Sequence, residues 1–493
     1  GTELVVITGS ASVEANPDNP FSAIVTVQLD QDASVAVSYG QHALTHRTPD
    51  REVVAGEEAR IVVLGLVADT DWQVQVEAWQ GESTWTSEAL AHRTEPLPAG
   101  FPVCTPSFTA ERSSFDPDEV VCTQGVTYSG QYLYFCTDYD GEPVHSMRSR
   151  SNDSMMSMRP LKGGGWASTS FTSSRVILFD EAGAQTAAFS PSYFSPDARF
   201  EHTFIDSHEM IQIDSGAWEG ALAVLTATVE SFPDGSYKLG NGLIVYDPLT
   251  DELLYDYSFH GELGDGEAMD EAVPYSSEGR GDYAEDWIHA NTILHASDPD
   301  GREYLLLSLK SQDWIVKLYP DSDEIAWRLG NLGDFELVDD VDAASPSPLS
   351  ALDWFYHQHG MVFVDEGDDN LHLLMFDNGY PRYDGRRYRY DLAYSRMLQV
   401  EVDEDAGQAD LDWSYGSDNS RDPDWFFSST CGNTVLLRGE DRVMALDGEG
   451  ATMIEVSYPE GEERWRMQCE TSEWCEYRVA WFPSLYELTW DRE

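Results

Sequence analysis

The feature that most constrains this chain is a unit that recurs from about residue 103 onward. It is an apolar strand, a turn rich in Asp, Gly or Pro, and a second strand ending in aromatics. Clear copies are "YLYFCTDYDGEPVHSM" (132–147), "RVILFDEAGAQTAAFS" (175–190), "LIVYDPLTDELLYDYSF" (243–259), "WIVKLYPDSDEIAWRLG" (314–330), "MLQVEVDEDAGQADLDWSYG" (397–416) and "VMALDGEGATMIEVSY" (443–458). One such hairpin cannot bury its apolar faces alone, so the copies must pack on one another. Six outer hairpins, each preceded by further strands, predict a six-bladed β-propeller with long loops between unevenly spaced copies. No amphipathic helix of ordinary length stands out, so the class is all-β. Two stacked β-sandwiches are the runner-up architecture, which the six-fold count disfavours.

Residues 1–95 carry a different pattern. "SAIVTVQL", "ASVAVSYG", "ARIVVLGL" and "DWQVQVEAW" alternate apolar and polar residues, which predicts a small β-sandwich. "VVLGLVADTDWQVQVEA" (62–78) resembles the fibronectin type III pattern. A proline-rich stretch, "TEPLPAGFP" (94–102), follows; the linker is taken as 96–102 and the propeller as 103–493.

Charge narrows the function. The chain has 29 basic and 89 acidic residues, a net charge of -60, and only four of the basic residues are lysines. Nucleic acids and anionic membranes are themselves polyanions and are excluded as partners. Self-repulsion on this scale is relieved where salt screens it, which points to a saline environment. "DPDG" (298–301) and "DYDGEP" (138–143) suit turns, and neither completes a calcium loop. No apolar run is long enough for a membrane span. The chain begins at Gly1 without a methionine, as expected if an export signal has been removed. The cysteines are Cys104, Cys122, Cys136, Cys431, Cys469 and Cys475, with no CxxC pair. An even count in an acidic chain points to an oxidising compartment, periplasmic or extracellular. "CETSEWC" (469–475) predicts a local Cys469–Cys475 bridge.

The strands ahead of three hairpins align as "SHEMIQID" (207–214), "IHANTILH" (288–295) and "QHGMVFVD" (358–365), which puts His208, His289 and His359 at one phase. In a propeller, equivalent positions of the innermost strands ring a central channel, so three imidazoles converge. The return strand "EYLLLSLKSQ" (303–312) brings Lys310 back beside His289, and "HLLMFDNGYPR" (372–382) brings Asp377, Asn378 and Arg382 toward His359. Imidazoles with a cation suit an anionic substrate and nucleophilic or proton-transfer chemistry. His202, His295, His357 and His372 lie off this register and read as structural.

"DWIHAN" (286–291), "SLKSQ" (308–312), "QHG" (358–360), "FDNGYPR" (376–382), "YSR" (394–396) and "WSYG" (413–416), in that order, resemble the arylsulfate sulfotransferase family. The resemblance implies an exported six-bladed propeller that moves a sulfuryl group from an aryl sulfate to a phenolic acceptor. The implied reaction is ping-pong through a sulfohistidine, with no cofactor and no metal. It implies His359 as nucleophile, with His289, His208 and Lys310 as the other catalytic residues. Lys310 stands where the family carries arginine. Asn291, Tyr356, Asn378, Arg382 and Arg396 are the expected substrate-binding residues, with Trp354, Phe355 and Tyr356 as an aromatic wall. A homodimer is the candidate assembly. Two other readings stand beside this one. The first is a non-catalytic exported binding or structural propeller. The second is a metal-dependent propeller hydrolase, in which the three histidines hold zinc or copper and Glu209 and Asp286 orient them. Met147, Met155, Met156 and Met158 form a methionine cluster read as part of a serine-rich surface loop.

Overall fold

The structure is a computed structural model and describes residues 7–126, 130–170, 172–190, 203–231, 237–259, 273–276, 283–364, 370–422, 424–437, 441–470 and 477–487. Six mainly antiparallel sheets, two of them with a short parallel strand added, follow one another along the chain from residue 103. From the inside outward, blade 2 is Met155–Pro160, Trp166–Ser170, Arg175–Phe179 and Gln185–Phe189. Blade 3 is Thr203–Gln212, Leu222–Ser231, Tyr237–Asp247 and Glu252–Ser258, with the short strands Val273–Ser276 and Tyr283–Asp286 added beside it. Blade 4 is Ala290–Ser297, Glu303–Leu309, Trp314–Tyr319 and Glu324–Gly330. Blade 5 is His359–Val364, Leu371–Asp377, Arg396–Asp403 and Gln408–Tyr415.

The two ends of the propeller segment close the ring. Blade 6 runs Asn433–Leu437, Arg442–Asp447, Thr452–Ser457 and Glu463–Glu470, and Val103–Phe108 adds a fifth, outermost strand. Blade 1 takes its innermost strand, Val479–Phe482, from the far end of the chain, followed by Val120–Val126, Tyr132–Thr137 and Pro143–Met147. Neighbouring innermost strands touch from blade 2 through blade 6 to Val479–Phe482. The hairpin at 443–458 is therefore not the outer pair of its blade, as its sequence pattern suggests. It is the middle pair, because Glu463–Glu470 and Val103–Phe108 lie outside it. A turn motif marks a hairpin but not its rank within a sheet.

The cores are apolar wedges between blades. Ile293, Leu305, Leu307, Val316 and Leu318 of blade 4 meet Ala223, Leu225, Leu243 and Val245 of blade 3, all buried. Asparagine amides bridge successive blades near the channel. Asn241 Oδ1 accepts from the Ala290 amide at 3.0 Å, and Asn291 Nδ2 donates to the Gln358 carbonyl at 2.7 Å. Asn378 Nδ2 donates to the Ser428 and Cys431 carbonyls, each at 2.9 Å. Asn433 exchanges two hydrogen bonds with the backbone of Val479, at 2.8 and 2.9 Å. These bonds satisfy buried groups that adjacent sheets cannot pair, and they fix the angle between blades 3 and 4, 4 and 5, 5 and 6, and 6 and 1.

The N-terminal residues form a two-sheet sandwich. One sheet is Gly9–Ala15, Ala23–Leu29 and Glu58–Val63; the other is built on Ala33–Gly40 and Asp71–Gln80. Asp71–Gln80 alternates exposed and buried residues, as period-two patterning requires, and Trp72, Val74 and Val76 meet Val25, Val27 and Val63 in the core. The sandwich sits against blades 1 and 2. Phe21 packs edge-on to Phe101, ring centroids 5.6 Å apart, and Asn16 Nδ2 donates to the Ala182 carbonyl at 2.6 Å.

Disulfides join Cys104 to Cys469 and Cys122 to Cys136. The expected Cys469–Cys475 bridge is overturned. Cys469 lies directly opposite Cys104 where Val103–Phe108 pairs with Glu463–Glu470, and a facing cross-strand position outcompetes a near neighbour in sequence. Cys431 is also disulfide-bonded. Cys475 and His202 lie outside the described residues. Among the described residues no helix is long and apolar enough to cross a membrane.

Candidate active site

His208 lies within the innermost strand of blade 3, His289 immediately precedes that of blade 4, and His359 opens that of blade 5. The ring centroids of His208 and His289 are 4.5 Å apart, and those of His289 and His359 are 6.2 Å apart. His289 adopts a left-handed backbone conformation, φ 50°, which turns its side chain out of strand register. Gly360 follows the third histidine at φ 53°; a Cβ there would meet the Asn433 Cβ at 2.2 Å. Only glycine lets the start of this strand lie so close to blade 6.

Each imidazole is held through Nδ1. That of His208 pairs with Asp206, and that of His289 pairs with Asp286. His359 Nδ1 lies 2.6 Å from Asn378 Oδ1 and 3.0 Å from the His357 carbonyl. Because Asn378 Nδ2 is directed at two carbonyl oxygens, Oδ1 must face the ring. Both neighbours of His359 Nδ1 are then acceptors, so the proton sits on Nδ1 and a lone pair remains on Nε2. Among the described residues no hydrogen bond engages Nε2 of any of the three rings.

The environment separates the three. Burial, with the Lys310 charge added, pushes His359 well below the ordinary imidazole range, so it is neutral. Burial and Lys310 also lower His289, against the raising pull of Asp286. Burial would raise Asp206 and Asp286, but their histidine partners outweigh it and hold both below the usual carboxylate range. Two rings thus face anions suited to stabilising an imidazolium, while the third faces a neutral amide.

Lys310 is buried, and its backbone amide donates to the His289 carbonyl at 3.1 Å. Its ammonium makes no hydrogen bond or ion pair among the described residues, and burial lowers its pKa against the pull of Asp286 and Asp313. Asp313, pushed up to about 8 by burial, accepts from the His357 amide at 2.7 Å. The site therefore holds an uncommitted cation beside a neutral imidazole with a free lone pair, an arrangement that suits an anion. Among the described residues no group of three or more His, Cys, Asp or Glu is placed to hold a metal ion.

Residues 117–478 match the family model for arylsulfotransferases (ASST). The chain belongs to this family. Two curated relatives named arylsulfate sulfotransferase AssT, from Lelliottia amnigena and from Escherichia coli O6:H1, are each 25% identical over 189 residues. Those alignments cover 35% of this chain and 29% of each relative's length. Among solved structures, a Bacteroides caccae protein of unknown function aligns with 74% of this chain and 99% of its own, at 9% identity and TM-score 0.40. The soluble aldose sugar dehydrogenase of Escherichia coli aligns with 67% of this chain and 96% of its own, at 10% identity and TM-score 0.34.

The other residues expected at the site divide in two. Asn291 and Asn378 belong to its scaffold, as interblade struts whose amides face protein groups. Tyr356, Arg382 and Arg396 gather elsewhere, around the buried Asp377. That carboxylate accepts from Arg382 Nη2 at 2.9 Å, from Arg396 Nε at 2.7 Å and from the Tyr356 amide at 2.9 Å. Both guanidiniums also donate to the Trp354 carbonyl. They tie down the loop that delivers His359. Trp354, Phe355 and Tyr356 are buried in the core between blades 4 and 5. Glu209 does not orient His208. It is fully buried and paired with Arg159 and Arg478, each at 2.7 Å. Alternation along the strand would have chosen Asp206, which shares a face with His208. Tyr477 had no sequence signal. Its ring lies 5.1 Å from that of His208 and 6.2 Å from that of His359, and its hydroxyl donates to the Asn291 carbonyl at 2.8 Å.

Proposed function

We propose that this protein moves a sulfuryl group from an aryl sulfate to a phenolic acceptor, with His359 as the nucleophile and a sulfohistidine between the half-reactions. The observation that carries this is the fixed tautomer of His359: Nδ1–H is held by Asn378 and His357, Nε2 bears the lone pair, and the ring is neutral. In the first half-reaction Nε2 attacks sulfur and the S–O bond to the aryl group breaks. The phenoxide leaves with the bonding pair and takes a proton from Nε2 of His289 or His208, whichever is imidazolium against its aspartate. In the second, the acceptor phenol gives its proton to the same imidazole and its oxygen attacks sulfur, breaking the S–N bond and restoring His359. Phenols ionise near ~10, so protonation of the leaving group contributes on the order of 10²–10⁴-fold. Lys310 balances charge on the sulfuryl oxygens as a point charge, where an arginine would grip them as a fork.

Exported, oxidising surroundings fit this reading, since two disulfides tie strands of blades 6 and 1. The sandwich within residues 1–95 is taken as an appended unit without a part in the chemistry. Intact-protein mass spectrometry tests the mechanism. An aryl sulfate alone should add one SO₃, a phenol should remove it, and His359→Ala should prevent both. An SO₃ adduct that persists in His359→Ala would refute the assignment. No adduct on the wild-type protein with any nitrophenyl or methylumbelliferyl sulfate would favour a binding propeller.

A further inference from the structure

The innermost strand of blade 2, Met155–Pro160, offers no histidine to the channel. Met156 and Arg159 are its partly exposed residues; Met155, Ser157, Met158 and Pro160 are buried. Three positions apart, Met156 and Arg159 would face opposite ways in a regular strand. A register shift between Met155 and Met158, where three steps on this strand meet two on its partner, brings them to one face. Arg159 is drawn to Glu209, the neighbour of His208. Met156 packs on Cys431 and Tyr477, and the Tyr477 ring in turn contacts the rings of His208 and His359. Met156 is thus an accessible apolar side chain, one ring away from two of the three histidines. Lys310, by contrast, is supplied by blade 4.

The surroundings of the three histidines thus include an uncommitted ammonium from blade 4 and, from blade 2, a thioether on an aromatic buttress. An aryl sulfate calls for both, with an anion at one end and an apolar ring at the other. We propose that Met156, buttressed by Tyr477, is the specificity-determining face that receives the aromatic ring of donor and acceptor. A thioether is suited to such a face because it is flexible, polarizable and favourable at the edge or face of a ring, so it accommodates differently substituted phenols. This inference rests on the sulfuryl-transfer reading.

The test uses the whole protein and 4-nitrophenyl sulfate, with an alkyl sulfate of equal carbon count for comparison. First, wild-type labelling by SO₃ is established by intact mass; its absence would defeat the sulfuryl-transfer reading itself. Given labelling, Met156→Ala should raise the donor concentration for half-maximal labelling roughly two- to tenfold, the range of a lost sulfur–aromatic contact. The rate at saturation should hold, and the preference for aryl over alkyl donor should fall by the same factor. Met156→Leu should recover most of the affinity. On the wild-type protein, saturating 4-nitrophenyl sulfate should slow peroxide oxidation of Met156, read by peptide mass, while inorganic sulfate should not. Unchanged half-saturation in Met156→Ala, or Met156 oxidation indifferent to the aryl donor, would overturn the proposal while leaving the mechanism standing.

Discussion

His145 on blade 1 ties acid stability to the joint between sandwich and propeller. The ring is fully buried, and its Nδ1 lies 2.8 Å from Nδ2 of Asn19. Asn19 Oδ1 accepts from the amides of Phe21 at 3.2 Å and Ser146 at 3.3 Å, so its NH₂ must face the histidine. Nδ1 is then an acceptor and cannot take a proton without opposing a donor. Burial lowers the pKa from the ordinary 6.5 to about 4. The sign follows directly. The unfolded chain binds a proton below about 6.5 and the folded chain only below about 4, so this contribution is complete above 6.5 and is lost as pH falls to 4. That gap converts to roughly 3 kcal/mol. His145→Asn removes the titration but keeps an acceptor near Nδ1, at the price of a cavity beside Trp166 that weakens the protein equally at both pH values. Urea unfolding at pH 7 and pH 4 reads the difference. The wild type should lose about 3 kcal/mol more than the variant between the two, because the other depressed histidines are common to both and cancel. Equal losses would refute the reasoning.

Asn378→Leu removes the nearer acceptor of His359 Nδ1–H and leaves the His357 carbonyl; one lost hydrogen bond is worth ~0.5–1.5 kcal/mol, so labelling at saturating aryl sulfate should slow by about 2- to 13-fold in rapid-quench mass measurements. With a net charge of -60, the protein repels an anionic donor, so kcat/KM for labelling should rise with NaCl as the Debye length shrinks from ~30 Å at 0.01 M to ~3 Å at 1 M. Desulfation by a neutral phenol, followed in the same stopped-flow series, should change little. Cys104→Ser with Cys469→Ser opens a bridge spanning 365 residues and should lower stability by about 2–5 kcal/mol in urea titrations. Gly360→Ala forces a methyl group into Asn433 from a left-handed backbone position, and should lower the thermal midpoint by an amount corresponding to at least ~1–3 kcal/mol.

The readable parts were local. Period-two alternation marks strands because side chains alternate across a sheet, and six copies of a hairpin imply six blades. The convergence of His208, His289 and His359 was legible from their like position ahead of three hairpins, although His289 reaches the cluster from a left-handed residue before its strand. Partnerships were not local. Arg382 and Arg396 carry the charge a sulfate would want, yet Asp377 and backbone carbonyls take both guanidiniums. Asp206, two residues from His208, was within reach of strand parity, whereas the place of Met156 needed a bulge that no residue type announces.

Nearest-neighbour backbone geometry and composition were enough for the all-β class, the hairpin repeat, the acidic balance and which three histidines converge. Long-range packing set which cysteines pair, which cation stays uncommitted, and which aromatic packs on His359. Ring closure brings Cys104 to Cys469, and Tyr477 to His208, across hundreds of residues. Such contacts depend on how many strands each blade holds and where the last one docks, and no local pattern encodes that.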